Sequence, residues 1–490
     1  MTGKLKYLAA VLLGLSSALA FSQNSQVLYY MNLPQRHLLN PAFTPTNSVY
    51  IGLPALSGIN FNLNNNFVNF SDVFMKSPVG DSLISVLHPD FDKGSFLDMI
   101  NDRNSLEVQS LVQLFGLGFR AGSKLYINFD INERIESNIV MPGDIIRLGL
   151  EGNEQFAGDR LDLSSLRGDL KYYREIGLGA SAGLTDKLRV GARLKLLQGI
   201  ASASIDNRAL GISVDEFYAH SIDADLSLNI SAPVEAYVNS EGGIDSISFD
   251  DSGFEETSDI INYLLKPGNS GLGLDLGAEY RFSDKLSVSA AITDLGYIRW
   301  KRDVLNMEAK SSFTFNGIDL ADLYERDLSP DSLFAELGDS LLNSFKINDT
   351  KVPFTTYSPF GLTLGGSFNV TKSLSLGLLS YTRFIGKQVR EALTLSANLN
   401  LGSAFSTTFA YTAANQRYDN LGAGLAFRPG FFQFYFLADR IPVTWNKIKT
   451  DDFSIPLPSS WNTIHLRFGM NLVFGNKVKK KNDKPMVIVE

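Results

Sequence analysis

One feature limits what this chain can become more than any other. Several long segments alternate apolar and polar-or-small residues without a break. In "LGLDLGAEYRFSDKLSVSAAI", Leu272, Leu274, Leu276, Ala278, Tyr280 and Phe282 fall on one side, and Gly273, Asp275, Gly277, Glu279 and Arg281 on the other. A two-residue period is strand geometry. The alternation resumes after Ser283 to Lys285 with Leu286, Val288, Ala290 and Ile292, so the unit reads as a hairpin with a short polar turn. Two further stretches, Ile176 to Leu196 and Phe360 to Ser380, follow the same design. Similar alternation runs through Glu107 to Arg120, Lys124 to Ile135, Glu391 to Gly402, Ser403 to Ala414, Asn420 to Arg440 and Asn462 to Phe474.

Length decides where the apolar sides go. Strands of soluble proteins average about five or six residues, and these hold their alternation for about ten, near what a tilted strand needs to cross a bilayer. Small and charged residues on the opposite side suit a wet or filled lumen. A sheet in lipid cannot leave an edge unpaired, so it must close on itself. The expected fold is therefore all-β: a transmembrane outer-membrane β-barrel of about fourteen antiparallel strands, with sixteen as the alternative. The short turns at Thr185 to Lys187, Ser283 to Lys285 and Thr371 to Ser373 mark its periplasmic end. Aromatic residues near strand ends (Tyr172, Tyr173, Tyr297, Trp300, Tyr381, Phe384, Phe431, Phe432, Phe434 and Phe436) are expected to form interfacial girdles.

The rest of the sequence agrees with an exported membrane protein. Lys4 and Lys6 precede an uncharged run that ends in small residues at Ala18 and Ala20, the grammar of a signal peptide over residues 1–20. No later apolar run is long enough for a helical span. The net charge is -8, which disfavours nucleic acid as a partner. Cysteine is absent, which removes disulfides, thiolate metal sites and a cysteine nucleophile. His37, His88, His220 and His465 are scattered without metal-ligand spacing, and no hydrolase, phosphate-loop or zinc-protease motif occurs. The expectation is no enzyme, no cofactor and no metal. Asp245, Asp250, Asp251, Glu255 and Glu256 form an acidic patch, but their spacing follows no calcium-loop rule.

The expected domains are an N-terminal extension over 21–56, the barrel over 57–475 with long outer loops at about 201–270 and 318–356, and a periplasmic tail over 476–490. Helices are expected at Thr257 to Leu265 and from Ser329 to Phe345, where Ser329 caps and Pro330 takes the first turn.

"LLNPAF" soon after the signal, the block Gly271 to Trp300 and the strand-rich last third together resemble a Bacteroidetes outer-membrane barrel family of unknown function (DUF5723-like), within the long-chain fatty-acid transporter (FadL-like) superfamily. The resemblance implies a fourteen-stranded barrel whose N-terminal segment folds inward as a hatch, with Asn40, Pro41 and Ala42 in that plug. Candidate lumen-facing residues are Arg189, Arg193, Asp275, Glu279, Arg281, His465 and Arg467. Two functions stand side by side. One is passive transport of small hydrophobic molecules across the outer membrane of a Gram-negative bacterium. The other is a non-transporting envelope component such as a secretion-system accessory or scaffold. Outer-membrane lipid or lipopolysaccharide is the expected partner, with a small hydrophobic ligand under the first reading.

Overall fold

The computed structural model describes residues 26–476 except 77–82, 87, 89, 153–155, 217–219, 239–243, 251–252, 255, 267, 316–345, 387, 403, 415–416, 442–444, 450–453 and 459–462. The signal segment, the helix expected from Ser329 to Phe345 and the tail after Asn476 lie outside the described residues.

Fourteen antiparallel strands close into a ring. The first wall strand has two pieces, Asn47–Gly52 and Ile59–Asn65. The second to seventh are Arg103–Ala121, Leu125–Pro142, Arg167–Gly183, Leu188–Val214, Asn269–Arg281 and Leu286–Trp300. The eighth to fourteenth are Phe360–Asn369, Leu374–Ile385, Gln388–Leu401, Phe405–Ala414, Arg417–Phe427, Phe432–Ala438 and Thr463–Asn476. Closure comes where the last strand meets both pieces of the first, with Ile51 opposite Leu472 and Leu63 opposite Ile464. No edge is left in the ring, which is the condition a sheet must meet inside hydrocarbon. The wall begins at Asn47 rather than at residue 57, because its first strand starts before the interruption that Pro54 imposes.

The alternation decides what faces out. Leu178, Leu194, Leu272, Leu364, Leu395, Phe409 and Leu425 are all more than half exposed and lie on one side of the sheet, as a lipid-facing belt requires. Their sequence neighbours Gly177, Arg193, Gly273, Thr363, Thr394, Thr408 and Gly424 are buried on the other. A soluble protein does not leave an apolar surface of this extent uncovered, so the barrel spans a membrane. The aromatic girdle is only partly as expected. Tyr297, Phe431, Phe434 and Phe436 are outward and exposed, whereas Tyr173, Trp300 and Tyr381 are buried. Their register puts them on the inner face: the Trp300 Nε1–H donates to Thr356 Oγ1 at 2.9 Å, and the Tyr173 hydroxyl donates to Glu136 at 2.9 Å.

Beyond the belt, the region expected as a loop near 201–270 is mostly sheet. The fifth wall strand continues to Val214 and pairs there with His220–Ser231, which in turn pairs with Val304–Phe315. The helix Thr257–Leu265 forms as its sequence indicates, and Glu256 closes a capping box with Asp259.

The belt makes a direct prediction. Leu194, 66% exposed on the fifth strand, should not tolerate a charge. Leu194→Arg is expected to cost about 2–4 kcal/mol, measured by reversible unfolding in lipid vesicles. A neutral result would mean that this face does not meet lipid.

Candidate functional site

The interior of the barrel is filled by the chain's own N-terminal segment. Gln26–Tyr30 forms a short helix and Pro34–Leu38 a 3-10 turn, with Pro34 at a first-turn position where its missing N–H costs nothing. Apolar residues anchor the segment: Val27, Leu28, Met31 and Leu33 pack on Ala410, Ala426, Tyr435 and Leu437 of the wall. Tyr29 and Phe43 pack on Leu379. Polar contacts then fix its position. The Val27 amide donates to Asp439 at 2.7 Å, and the Tyr30 hydroxyl donates to the carbonyls of Gly366 and Leu378 at 2.9 and 2.7 Å.

Asn40, Pro41 and Ala42 sit deep in this packing. The Asn40 side-chain oxygen accepts from the Ala42 amide at 2.9 Å, which tightens the turn, while its amide nitrogen donates to the carbonyls of Ala278 and Ala290. The Ala42 carbonyl accepts from Ser181 Oγ at 3.0 Å. The approach to the wall is so close that it requires glycine. A Cβ on Gly191 would strike the backbone of Pro41 and Ala42, and one on Gly277 would strike the Asn40 side chain.

Around the segment the wall turns charged. Arg193 on the fifth strand donates to Asp130 on the third at 2.5 Å, to Glu175 on the fourth at 2.6 Å and to Asp275 on the sixth at 3.2 Å. Lys195 reaches Asp275 and Asp294, each at 2.6 Å, and Arg134 reaches Glu175 at 3.0 Å and Asp294 at 3.1 Å. Asp294 joins because the seventh strand bulges there: its φ is 63°, the pairing slips between Leu274 and Leu276, and its amide donates to Asp275. His37 carries the network into the N-terminal segment. Its Nδ1 lies 2.8 Å from the Pro34 carbonyl and its Nε2 3.3 Å from Asp130. Buried charges persist only when paired and bonded in this way.

A second ion cluster crosses the lumen. Glu107 belongs to the second strand, and its carboxylate is held by Arg383 of the ninth at 2.6 Å and by Arg390 of the tenth. In a ring of fourteen, the second and ninth strands stand half a turn apart. The opposite walls therefore meet through side chains at this level. Between that bridge and the N-terminal segment lies a cavity of about 60 Å³, lined by Leu38, Leu39, Arg134, Asp294 and Tyr381 among others. On the far side of the segment, at the short-turn end, a larger cavity of about 560 Å³ opens between it and the wall. Tyr30, Phe43, Leu286 and Leu374 supply apolar lining there, and Arg36, Glu279, Arg281 and Lys285 supply charge. The Arg36 guanidinium stacks 4.2 Å from the centre of the Phe43 ring; burial draws its pKa down and Glu279 opposes that fall.

The wall itself is interrupted beside the segment. Residues 53–58 leave the first strand, with Pro54, Ala55 and Leu56 exposed and Ser57 buried. Ala55 takes a φ of 56°, costly for a residue with a Cβ, and the second strand bulges alongside between Gln113 and Phe115. Gln35 reaches this seam. Its Nε2 donates to the Ser57 carbonyl at 3.0 Å and to Asn471 Oδ1 at 2.7 Å, and Asn471 donates back to Gln35 Oε1 at 3.2 Å.

The other residues singled out in the sequence are scattered around these features. Arg189 donates to Ser181 and to the Lys124 carbonyl near the short-turn end. Glu279 and Arg281 line the larger cavity. His465 pairs with Asp439, the carboxylate that also holds Val27, and Arg467 donates to Asn60 at 3.3 Å. Lys195 is read from the sequence, with Arg189 and Arg193, on the polar side of its segment. Sequence reasoning missed Glu107, Asp130, Glu175, Arg383 and Arg390. Glu107 and Asp130 were within reach, since each stands at an inward position of an alternating segment.

Two outcomes test this arrangement. Glu107→Gln removes the charge that Arg383 and Arg390 share, which is expected to cost about 3–5 kcal/mol and to raise single-channel conductance in planar bilayers. Unchanged conductance with an unchanged unfolding midpoint would remove the bridge as a closure. Gly191→Ala should push Pro41 off the wall and make residues 26–46 cleavable by protease from the short-turn side; full protection would contradict the packing described.

A closed membrane barrel with a segment of its own chain folded inside it defines the class. Within that class the chain belongs to the Family of unknown function (DUF5723), whose model matches residues 41–439. No curated protein matches it in sequence. Among solved structures it resembles the toluene transporter TbuX of Ralstonia pickettii, at 10% identity over 94% of this chain and 100% of that one, with a TM-score of 0.41. It also resembles a FadL homologue of Pseudomonas aeruginosa, at 10% identity over 91% of this chain and 94% of that one, with a TM-score of 0.39. The Pseudomonas putida toluene transporter TodX is similar at 10% identity, covering 93% and 94% of the two chains, with a TM-score of 0.31. Likenesses of this degree assign neither a cargo nor a route.

Proposed function

We propose that the protein sits in the outer membrane of a Gram-negative bacterium and lets small hydrophobic molecules pass across it, with residues 26–46 acting as a plug and Arg189, Arg193, Asp275, Glu279, Arg281, His465 and Arg467 serving the lumen. The observation that carries this reading is the seam at residues 53–58. The wall is broken and strained where Gln35 of the plug is bonded to it, so movement of the plug and loosening of the wall are coupled through one side chain. The cavity of about 560 Å³ beside the plug has the size of a small-molecule site. Its lining is mixed, so its aromatic and aliphatic part is where an apolar cargo rests.

The cross-lumen bridge at Glu107 favours the second reading, a non-transporting envelope component whose interior stays shut. One experiment separates the two. The chain has no cysteine of its own. Ala42→Cys with Ser181→Cys therefore allows the plug to be tied to the wall by a short thiol cross-linker. Under the transport reading, uptake of a panel of alkyl and monoaromatic compounds into vesicles holding the protein falls to the protein-free rate when the link is made and returns when a cleavable link is cut. Uptake at the protein-free rate in both states supports the shut component instead.

A further inference from the structure

The outer margin of the lipid belt is built differently on one side of the barrel. Along the fourth to seventh strands Ile176, Leu196, Leu272 and Tyr297 form an outward apolar row, neighbours by strand pairing, and on the sixth and seventh strands it is the last such row. The next outward row is polar: Arg174, Gln198, Ser270 and Arg299. On the sixth and seventh strands hydrocarbon therefore ends between these rows, while on the fourth the outward face continues to Tyr172 and Leu170. The helix Thr257–Leu265 is fastened at this level, on the outside of the wall. Arg174, on the polar row, donates to the Leu264 carbonyl at 3.3 Å, and the Tyr263 hydroxyl donates to the Ile200 carbonyl at 3.4 Å. Arg302 lies 3.6 Å from the centre of the Tyr263 ring and donates to the carbonyls of Tyr263 and Lys266.

Two properties of this helix are unexplained by its attachment. Its apolar side is turned away from the protein: Ile260, Ile261 and Leu265 are 46%, 51% and 59% exposed. At helical spacing Ile260, Ile261, Leu264 and Leu265 share one stripe, with Asp259 and Asn262 opposite. Beside its C-terminal end stand three exposed cations, Lys266, Arg299 and Lys301, which form no ion pair among the described residues. The nearby Arg174 and Arg302 are already matched, by Glu133 at 2.6 Å and Asp303 at 3.1 Å. An exposed apolar stripe at the margin of the lipid belt, beside three cations without an ion pair among the described residues, is complementary to an amphiphile with anionic groups at the head and several hydrocarbon tails.

We propose that this margin is a binding site for an outer-leaflet lipid of the phosphorylated, multiply acylated class. Its acyl chains lie along Leu196, Leu272 and Tyr297 and under Ile261 and Leu265, and its phosphates rest on Lys266, Arg299 and Lys301. The site depends on the barrel's place in the membrane and not on whether the lumen conducts. Uptake and lipid binding therefore fail independently.

The test uses the whole mature chain in neutral detergent, with diphosphorylated hexa-acyl lipid A as probe and native mass spectrometry as readout. The unaltered protein is expected to retain lipid A and to retain neither phosphatidylcholine nor inorganic phosphate. Lys266→Gln with Arg299→Gln and Lys301→Gln should weaken lipid A binding at least about tenfold, as should Ile261→Asp with Leu265→Asp. Lys124→Gln with Lys187→Gln, at the short turns on the opposite end, should leave lipid A binding unchanged. Strand content by circular dichroism guards against misfolding, since all these positions are exposed. Lipid A binding within twofold of the unaltered protein in the triple variant overturns the proposal. So does equal retention of dephosphorylated lipid A, or displacement of lipid A by inorganic phosphate.

Discussion

Hydrocarbon offers no partner to a backbone N–H or C=O, and the whole molecule is organised around that fact. The sheet must bond to itself all the way around, so the last strand has to find the first, and both pieces of the first pair with the fourteenth. Once the ring is shut, two solvents remain. Outside is lipid, which selects Leu and Phe at alternate positions. Inside is an enclosed space lined by polar and charged side chains, which need partners. The chain fills it with residues 26–46 and with paired charges.

The charges explain why the filling is specific. A purely apolar filling could slide, because apolar packing has no direction. Arg193 tied to three carboxylates from three different strands, and through Asp130 to His37 of the N-terminal segment, fixes both the strands and that segment in register. The arrangement has a weak place. At residues 53–58 the ladder is replaced by a few bonds through Gln113, Leu56 and Gln35, next to a residue held in the left-handed region. Strain of that kind persists only where its surroundings enforce it.

How much of this could be read from the sequence depends on whether the information is local. Alternation is local, so the strands, their facing, the short turns and the count of fourteen were legible, and so was the helix at Thr257–Leu265. The inward charges at Arg193 and Asp275 were legible for the same reason. What they touch was not, because the partners of Arg193 come from positions 130, 175 and 275, and nothing in a single chain aligns those numbers. The Glu107 bridge joins residues 276 positions apart. Tyr173 and Trp300 were assigned to the lipid interface from their type and position near strand ends, yet register turns both inward. A register is a property of pairs of strands, and a one-residue step reverses every side.

The burial of Gln35 against Asn471 also constrains how the molecule is made. One partner lies near the beginning of the chain and the other in its final wall strand, and both are sealed from solvent once the ring is complete. A finished cylinder has no gap through which the early segment could be threaded sideways. The paired bonds between Gln35 and Asn471 can form only once the fourteenth strand has arrived, so closing the outline and fixing the inside are one event at this point of the wall.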